Sequence, residues 1–269
     1  MQVGQLRALA KTDITPDFIV GTSVGSLNGA VVADAPLVAA DRLAALWSTV
    51  TREDIFGKHL PTAVRVASRK PAAVDNAHLR SFIHRAVAAR DFSELEIPHT
   101  SVATDFDTGE VVALRSGELV SALLASAAIP AIFPVVERDG RRLVDGGIVA
   151  NVPIGVAAAQ GAQTIVVLDC GFTVIAPERE DSLRSAMLRT VAIMAAQQVR
   201  RDLEAVSDRT VLYLPGPWPI GSRPDDFRRS QELAQAAYDL SLRWLRQLHV
   251  SGPGRYGSAP SDSLSRGLS

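Results

Sequence analysis

Strands that alternate with helices predict one α/β domain built on a mainly parallel sheet. Three observations carry that prediction. Two short apolar runs, residues 18–20 (FIV) and 164–168 (TIVVL), have the length and branching of buried strands. The first passes through Gly-Thr-Ser-Val-Gly straight into a small-residue helical pattern, in the stretch DFIVGTSVGSLNGAVVADA. Residues 182–206 and 226–248 keep helical periodicity, the second with Leu233, Ala237, Leu240, Trp244 and Leu248 along one side.

The remaining elements follow in chain order. Residues 5–10 read as the end of a helix with Leu6 and Leu9 on one face, and Pro16 helps turn the chain before the first strand. The helix after the Gly-Thr-Ser-Val-Gly turn is followed by another over residues 39–50, where Leu43, Leu46 and Trp47 share a face. Residues 52–75 are the least regular part of the first half. There Lys58, Arg65, Arg69 and Lys70 interleave with Leu60, Val64 and Val66, which reads as a solvated connection rather than a lid or membrane-contact segment. Residues 77–89 read as a helix, and residues 100–104 and 111–114 as two strands joined through DFDTGE.

Residues 119–136 carry no charge over 18 positions, which is membrane-spanning length. Pro130, Pro134 and two serines argue instead for a buried helix, a break and a short strand. Leu143 and Val144 form a short strand ending at Asp-Gly-Gly, residues 152–160 a helix with Pro153 in its first turn, and residues 211–214 a last strand. Residues 251–269 are rich in Gly, Ser and Pro and read as a disordered tail, leaving residues 1–250 as the domain.

Bulk composition narrows the function. A formal net charge of −1 gives no electrostatic footprint for nucleic acid. The single cysteine, Cys170, excludes an internal disulfide and a cysteine-rich metal site, and its place after a strand reads as a buried thiol. The start MQVGQLRALAK lacks the basic and apolar regions of a secretory signal. Basic residues are almost all arginine, lysine occurring only at Lys11, Lys58 and Lys70, which suggests a GC-rich, bacterial genome.

Ser23 sits at the centre of a G-x-S-x-G pattern with Gly21 and Gly25 at its ends. A serine hydroxyl attacks well only when a base takes its proton and its oxygen is held exposed. A sharp strand-to-helix turn supplies the exposure and needs small residues two before and two after the serine. The helix N-terminus that follows favours developing negative charge.

The base is sought among the histidines and the carboxylates. Of His59, His78, His84, His99 and His249, only His249 is late in the chain, and it ends an amphipathic helix rather than topping a strand. Asp145 is better placed, at the C-terminal end of a strand in RRLVDGGIVANVP, where α/β sheets present their sites. Gly146 and Gly147 let the backbone turn tightly beside it. A carboxylate within reach of Ser23 gives a two-residue dyad, although Asp-Gly-Gly alone also reads as a turn signal.

Four stretches in order, PDFIVGTSVGSLNGA (16–30), SVATDFDTGE (101–110), ASAAIPAIFPVV (125–136) and LVDGGIVANVPIGVA (143–157), resemble the patatin-like phospholipases. The resemblance covers residues 2–170. It implies a three-layer α/β/α sandwich with a mainly parallel central sheet. It also implies a serine acyl hydrolase that cleaves phospholipid, lysophospholipid or related lipid esters through an acyl-enzyme. Ser23 would be the nucleophile and Asp145 the base, with Gly21, Gly25, Gly146 and Gly147 shaping the site. Ser126, Pro130, Phe133, Pro134, Asn151 and Pro153 match family positions that shape its walls. No metal and no cofactor is expected. The expected partner is a lipid ester, met by transient contact with a membrane surface, and the expected location is the cytoplasm, peripheral to the inner membrane face.

The pattern departs at the start. The family carries a strand and a G-G-G-x-R-G loop, source of its oxyanion N–H groups, ahead of the helix that this sequence opens with as MQVGQLRAL. Removing one oxyanion donor typically costs about 10²–10³ in turnover. The preferred expectation is an active hydrolase truncated at its start. The alternative is a catalytically impaired lipid-binding or partner-binding module on the same fold. Either way, the Ser23 strand is expected to lack a neighbour on one side.

Overall fold

Branched apolar runs such as residues 164–167 (TIVV) become strands, and alanine-rich segments such as residues 154–159 (IGVAAA) become helices. The structure, a computed structural model, describes residues 1–57, 72–172, 183–218, 227–260 and 262, with the side chains of 183–185, 187 and 188 outside the description. The irregular stretch containing Lys58, His59, Leu60, Val64, Arg65, Val66, Arg69 and Lys70 lies outside the described residues.

The first elements are α1 (Gln2–Leu9), β1 (Ile19–Thr22), α2 (Val24–Asp34), α3 (Ala39–Thr49), α4 (Arg52–Phe56) and α5 (Ala77–Ala86). Next come β2 (His99–Asp105), β3 (Val111–Leu114), α6 (Leu119–Ser126), β4 (Val136–Arg138) and β5 (Arg141–Asp145). The chain continues through α7 (Ile154–Ala159), β6 (Thr164–Val167), α8 (Leu183–Ala205), β7 (Thr210–Tyr213), α9 (Ser230–Gln247) and β8 (Gly254–Tyr256). The chain divides into two compact units: Pro16–Arg42 with Thr49–Val149, and Met1–Thr15 with Leu43–Ser48 and Ala150–Ser269.

The second of these units holds a parallel sheet in the order β6-β7-β8. Gly254–Tyr256 thus makes a strand inside the stretch whose composition reads as disordered, because β7 offers a free edge there: Thr210 pairs Gly254 and Leu212 pairs Tyr256. Helix α1 packs against α9, and Gly4 permits the approach, since a Cβ there would lie 2.7 Å from the Tyr238 backbone nitrogen. Gln2 Nε2 donates to the Leu168 carbonyl, Gln5 Nε2 to the Leu214 carbonyl and Ser241 Oγ to the Pro215 carbonyl, so side chains satisfy the backbone where β6 and β7 end.

Buried Asp169 is held by Tyr213 Oη at 2.6 Å and by the Gly171 amide at 2.7 Å. Burial raises its carboxyl above the usual range against the pull of those two donors. Cys170 is half-buried, and desolvation together with neighbouring Asp169 pushes its thiol up to about 11. Tyr213→Phe strips a buried carboxylate oxygen of its donor. It is expected to lower stability by about 2 kcal/mol, read from the urea midpoint at constant m-value.

The Ser23 unit is built on a mixed sheet. β1 runs parallel to β2, whereas β3 and β5 are antiparallel to β2 and β4 is antiparallel to β5. β3 pairs with Ser101–Thr104 along one edge of β2. At Ser101 and Val102 the other partner is β1, and at Ala103 and Thr104 it is β5, so β1 and β5 share the opposite edge. They run toward each other along it, Thr22 facing Val102 and Asp145 facing Ala103. β1 pairs with β2 alone among the described strands of this sheet.

The β4–β5 hairpin turns through Asp139 and Gly140, both with positive φ (52° and 74°), which is the backbone that fits two-residue hairpins. Helix α6 packs against β2 and β5, and α5 packs against α6; Leu79, Phe82 and Ile83 of α5 and Leu119, Leu123 and Leu124 of α6 are all buried. Helix α6 is apolar all round and correspondingly enclosed, with Glu118 capping its start by accepting from the Ser121 amide at 2.7 Å. Among the described residues no helix is long and apolar enough to cross a membrane.

Candidate active site

The head-on meeting of β1 and β5 forces both chains off the edge of β2 at the same point. β1 leaves through Ser23, whose φ of 55° and ψ of −126° lie outside the ordinary regions for a side-chain-bearing residue. Helix α2 starts at once, with the Ser26 amide closing back on the Ser23 carbonyl at 2.9 Å. That tight reversal lays the first turn of α2 over Gly21, where a Cβ would sit 2.5 Å from the Gly25 carbonyl oxygen and 2.6 Å from Ser26 backbone. The small residue two before the serine is therefore a packing necessity.

β5 leaves through Asp145 into a 3-10 turn over Gly146–Ile148. Each polar group of Asp145 has a partner. Its amide donates to the Ala128 carbonyl at 2.9 Å, and its carbonyl accepts from Thr104 Oγ1 at 2.9 Å. Its Oδ1 accepts from the Gly147 amide at 2.7 Å, and its Oδ2 accepts from Ser23 Oγ at 2.7 Å. The two residues singled out in the sequence are thus brought together, with Gly21 and Gly25 on one arm and Gly146 and Gly147 on the other. No described histidine hydrogen-bonds Ser23; His99 instead lies in the core of β2.

Electrostatics follow from burial. Asp145 is 6% exposed, and desolvation pushes its carboxyl up to about 6, moderated by the hydrogen bonds from Ser23 and Gly147. Half-buried Ser23 keeps a face toward solvent. A carboxylate titrating there is suited to take a proton near neutral pH. The positive end of α2 adjoins the serine oxygen and suits the negative charge that an attacked ester carbonyl would develop.

Three supporting features escaped the sequence reading. Thr104 orients the Asp145 backbone. Ser126, read only as a wall residue, accepts from the Ser23 amide at 2.9 Å and donates to the Val102 carbonyl at 2.6 Å. One turn along α2, Ser26 Oγ donates to Ser101 Oγ at 2.7 Å, and His99 Nε2 lies 3.3 and 3.2 Å from the two hydroxyls. Burial drives the His99 imidazole down to about 3, so it serves this contact as a neutral ring. Small polar residues recurring in β2 (Thr100, Ser101, Thr104) are the signal that could have pointed to this strand, since buried hydroxyls need partners. Among the described residues no group of three or more His, Cys, Asp or Glu could hold a metal ion.

Comparison with known proteins agrees with this architecture. The family model described as Patatin-like phospholipase matches residues 1–158. The patatin-like phospholipase domain-containing protein 6 of Mus musculus is 28% identical over 171 residues, 63% of this chain and 12% of the mouse protein. A patatin-like phospholipase domain-containing protein of Caenorhabditis elegans is 31% identical over 172 residues, again 63% of this chain and 12% of the relative. An uncharacterized NTE family protein of Mycobacterium bovis is 28% identical over 178 residues, 66% of this chain and 47% of that protein. The chain thus matches about an eighth of the length of the animal relatives and about half of the mycobacterial one. With the family model matched over more than half of its residues and the α/β fold in place, the chain belongs to the patatin-like phospholipase family.

Proposed function

We propose that this protein is a serine acyl hydrolase cleaving carboxylic esters of lipids with a Ser23–Asp145 dyad. The observation that carries the reading is the 2.7 Å hydrogen bond from Ser23 Oγ to Asp145 Oδ2. In acylation, Asp145 takes the Ser23 proton as Oγ bonds to the ester carbonyl carbon. The tetrahedral intermediate then collapses, breaking the bond to the alcohol oxygen, which leaves with the proton from Asp145. In deacylation, Asp145 takes a proton from water, whose oxygen attacks the acyl carbon. Ser23 Oγ departs and regains that proton.

A lipid ester fits the surroundings of the dyad. Ile129 follows the residue whose carbonyl holds the Asp145 amide, and Ile148 lies three residues beyond Asp145. They are 37% and 43% exposed, and Pro130 and Ala131 beside Ile129 are exposed too. Apolar residues left in solvent around a nucleophile suit acyl chains and contact with a lipid surface. The test is labelling with a fluorophosphonate, followed by peptide mapping by mass spectrometry. The expected adduct is on Ser23, absent in Ser23→Ala and strongly slowed in Asp145→Ala, with p-nitrophenyl ester hydrolysis falling in parallel. A chain that binds lipid vesicles yet leaves Ser23 unlabelled would be a lipid-binding module instead.

A further inference from the structure

We infer that Ser126 is a positioning residue for the nucleophile, fixing the strained Ser23 backbone through the Ser23 amide; this rests on the dyad reading above. Ser126 is the last residue of α6 and is fully enclosed. Its hydroxyl has one hydrogen, and that hydrogen goes to the Val102 carbonyl at 2.6 Å. Toward Ser23 the same oxygen is therefore an acceptor, and the Ser23 amide donates to it at 2.9 Å. The residue 103 positions earlier in the chain is in this way tied to β2 through a single side chain.

The place of this tie gives it meaning. Val102 is where β1 stops pairing with β2, and Asp145 is paired one residue further on, at Ala103. Ser23 lies beyond the last paired residue of β1, so the ladder no longer holds its backbone. Its positive φ is an uncommon conformation for a residue with a side chain, and such conformations persist when surrounding contacts over-determine them. Ser126 supplies that determination from outside both strands. It anchors to the strand that carries the register of the dyad and fixes the amide next to the reacting oxygen. It also occupies the Ser23 N–H, which donates to Ser126 Oγ.

Ser126 touches neither substrate nor reacting atoms, so its effect falls on the geometry of attack. Loss of the hydroxyl leaves one buried acceptor and one amide without their partner, and relaxes the angle at which Ser23 Oγ meets Asp145. Ser126→Ala is expected to lower kcat for p-nitrophenyl butyrate by about 10- to 100-fold per folded molecule, with KM within about three-fold of wild type. Fluorophosphonate labelling of Ser23 slows by the same factor. Ser126→Thr keeps the hydroxyl and is expected to recover most of the rate. Melting curves give the folded fraction, and if the threonine variant does not fold, the kcat against KM split in Ser126→Ala decides.

Wild-type kcat in folded Ser126→Ala, or a loss confined to KM, overturns the assignment. So does a folded Ser126→Thr as slow as the alanine variant. A wild-type chain that neither hydrolyses the ester nor takes up the probe overturns the hydrolase reading and this assignment together. An active wild type with an unimpaired Ser126→Ala overturns this assignment alone.

Discussion

Asp145→Asn is expected to lower kcat by about 10³-fold while raising the stability of the chain at pH 7. The loss of rate follows from chemistry, since an amide cannot accept the Ser23 proton. The gain in stability follows from burial. Desolvation raises the Asp145 carboxyl from 3.8 to about 6, so the folded state binds the proton more tightly than the unfolded one. Stability therefore falls as pH rises from about 4 through about 6, and at neutral pH the fold carries an ionised group it disfavours. At about 1.36 kcal/mol per tenfold in proton affinity, the cost is about 3 kcal/mol.

Asparagine removes that cost without orphaning the neighbours. Its oxygen can accept from the Gly147 amide, and its nitrogen can donate to Ser23 Oγ. A stabilisation of about 1–3 kcal/mol is expected at pH 7, shrinking toward zero below pH 4, measured as unfolding midpoints of both proteins across pH. The same ionisation is expected to govern the rate. Because only the carboxylate can act as base, kcat/KM should fall tenfold per pH unit below about 6. A rate flat from pH 5 to 8 would remove Asp145 from the role.

Gly146→Ala is expected to abolish measurable activity and to destabilise the chain by about 3 kcal/mol. A Cβ at residue 146 would collide with the Val102 carbonyl oxygen, lying 2.8 Å from its carbon and 3.1 Å from Thr22 Cγ2. Both neighbours belong to paired strands and cannot withdraw without breaking the ladder that spaces the dyad. Gly140→Ala is the control. Its φ of 74° makes an alanine there strained, but open space surrounds the position, so a loss of about 1 kcal/mol with unchanged kcat is expected. Chemical denaturation and ester hydrolysis on both variants separate lack of room from backbone strain.

The two arms of the site were legible for local reasons. A strand-to-helix reversal needs Gly21, because the helix folds onto it, and Asp-Gly-Gly marks a turn whose second glycine amide caps its own aspartate. The α/β class was legible as well. The expectation of a mainly parallel sheet concealed how the arms meet, since β5 reaches Asp145 antiparallel to β2. Arg-Asp-Gly-Arg between Val136 and Val144 is a two-residue hairpin signal, and it is what makes β4 and β5 partners. Ser126 could not be assigned from sequence, because a serine ending an apolar helix has the same local pattern whether its hydroxyl faces a helix carbonyl or a distant amide. Strand β8 was hidden for the opposite reason, its Gly-rich composition being that of a tail while its pairing comes from the edge of β7.

The meeting of β1 and β5 on one edge of β2 also bears on how such a chain can change over generations. Ser23 and Asp145 are 122 residues apart, yet what sets their separation is the register of two neighbouring residues, Val102 and Ala103. Loops between the elements can gain or lose residues while the reach from hydroxyl to carboxylate stays constant. One residue inserted between Val102 and Ala103 would instead move the arms apart by about 3.3 Å and turn β5 to its other face. Length variation among descendants should therefore collect in the loops and spare β2, whose middle works as the ruler of the site.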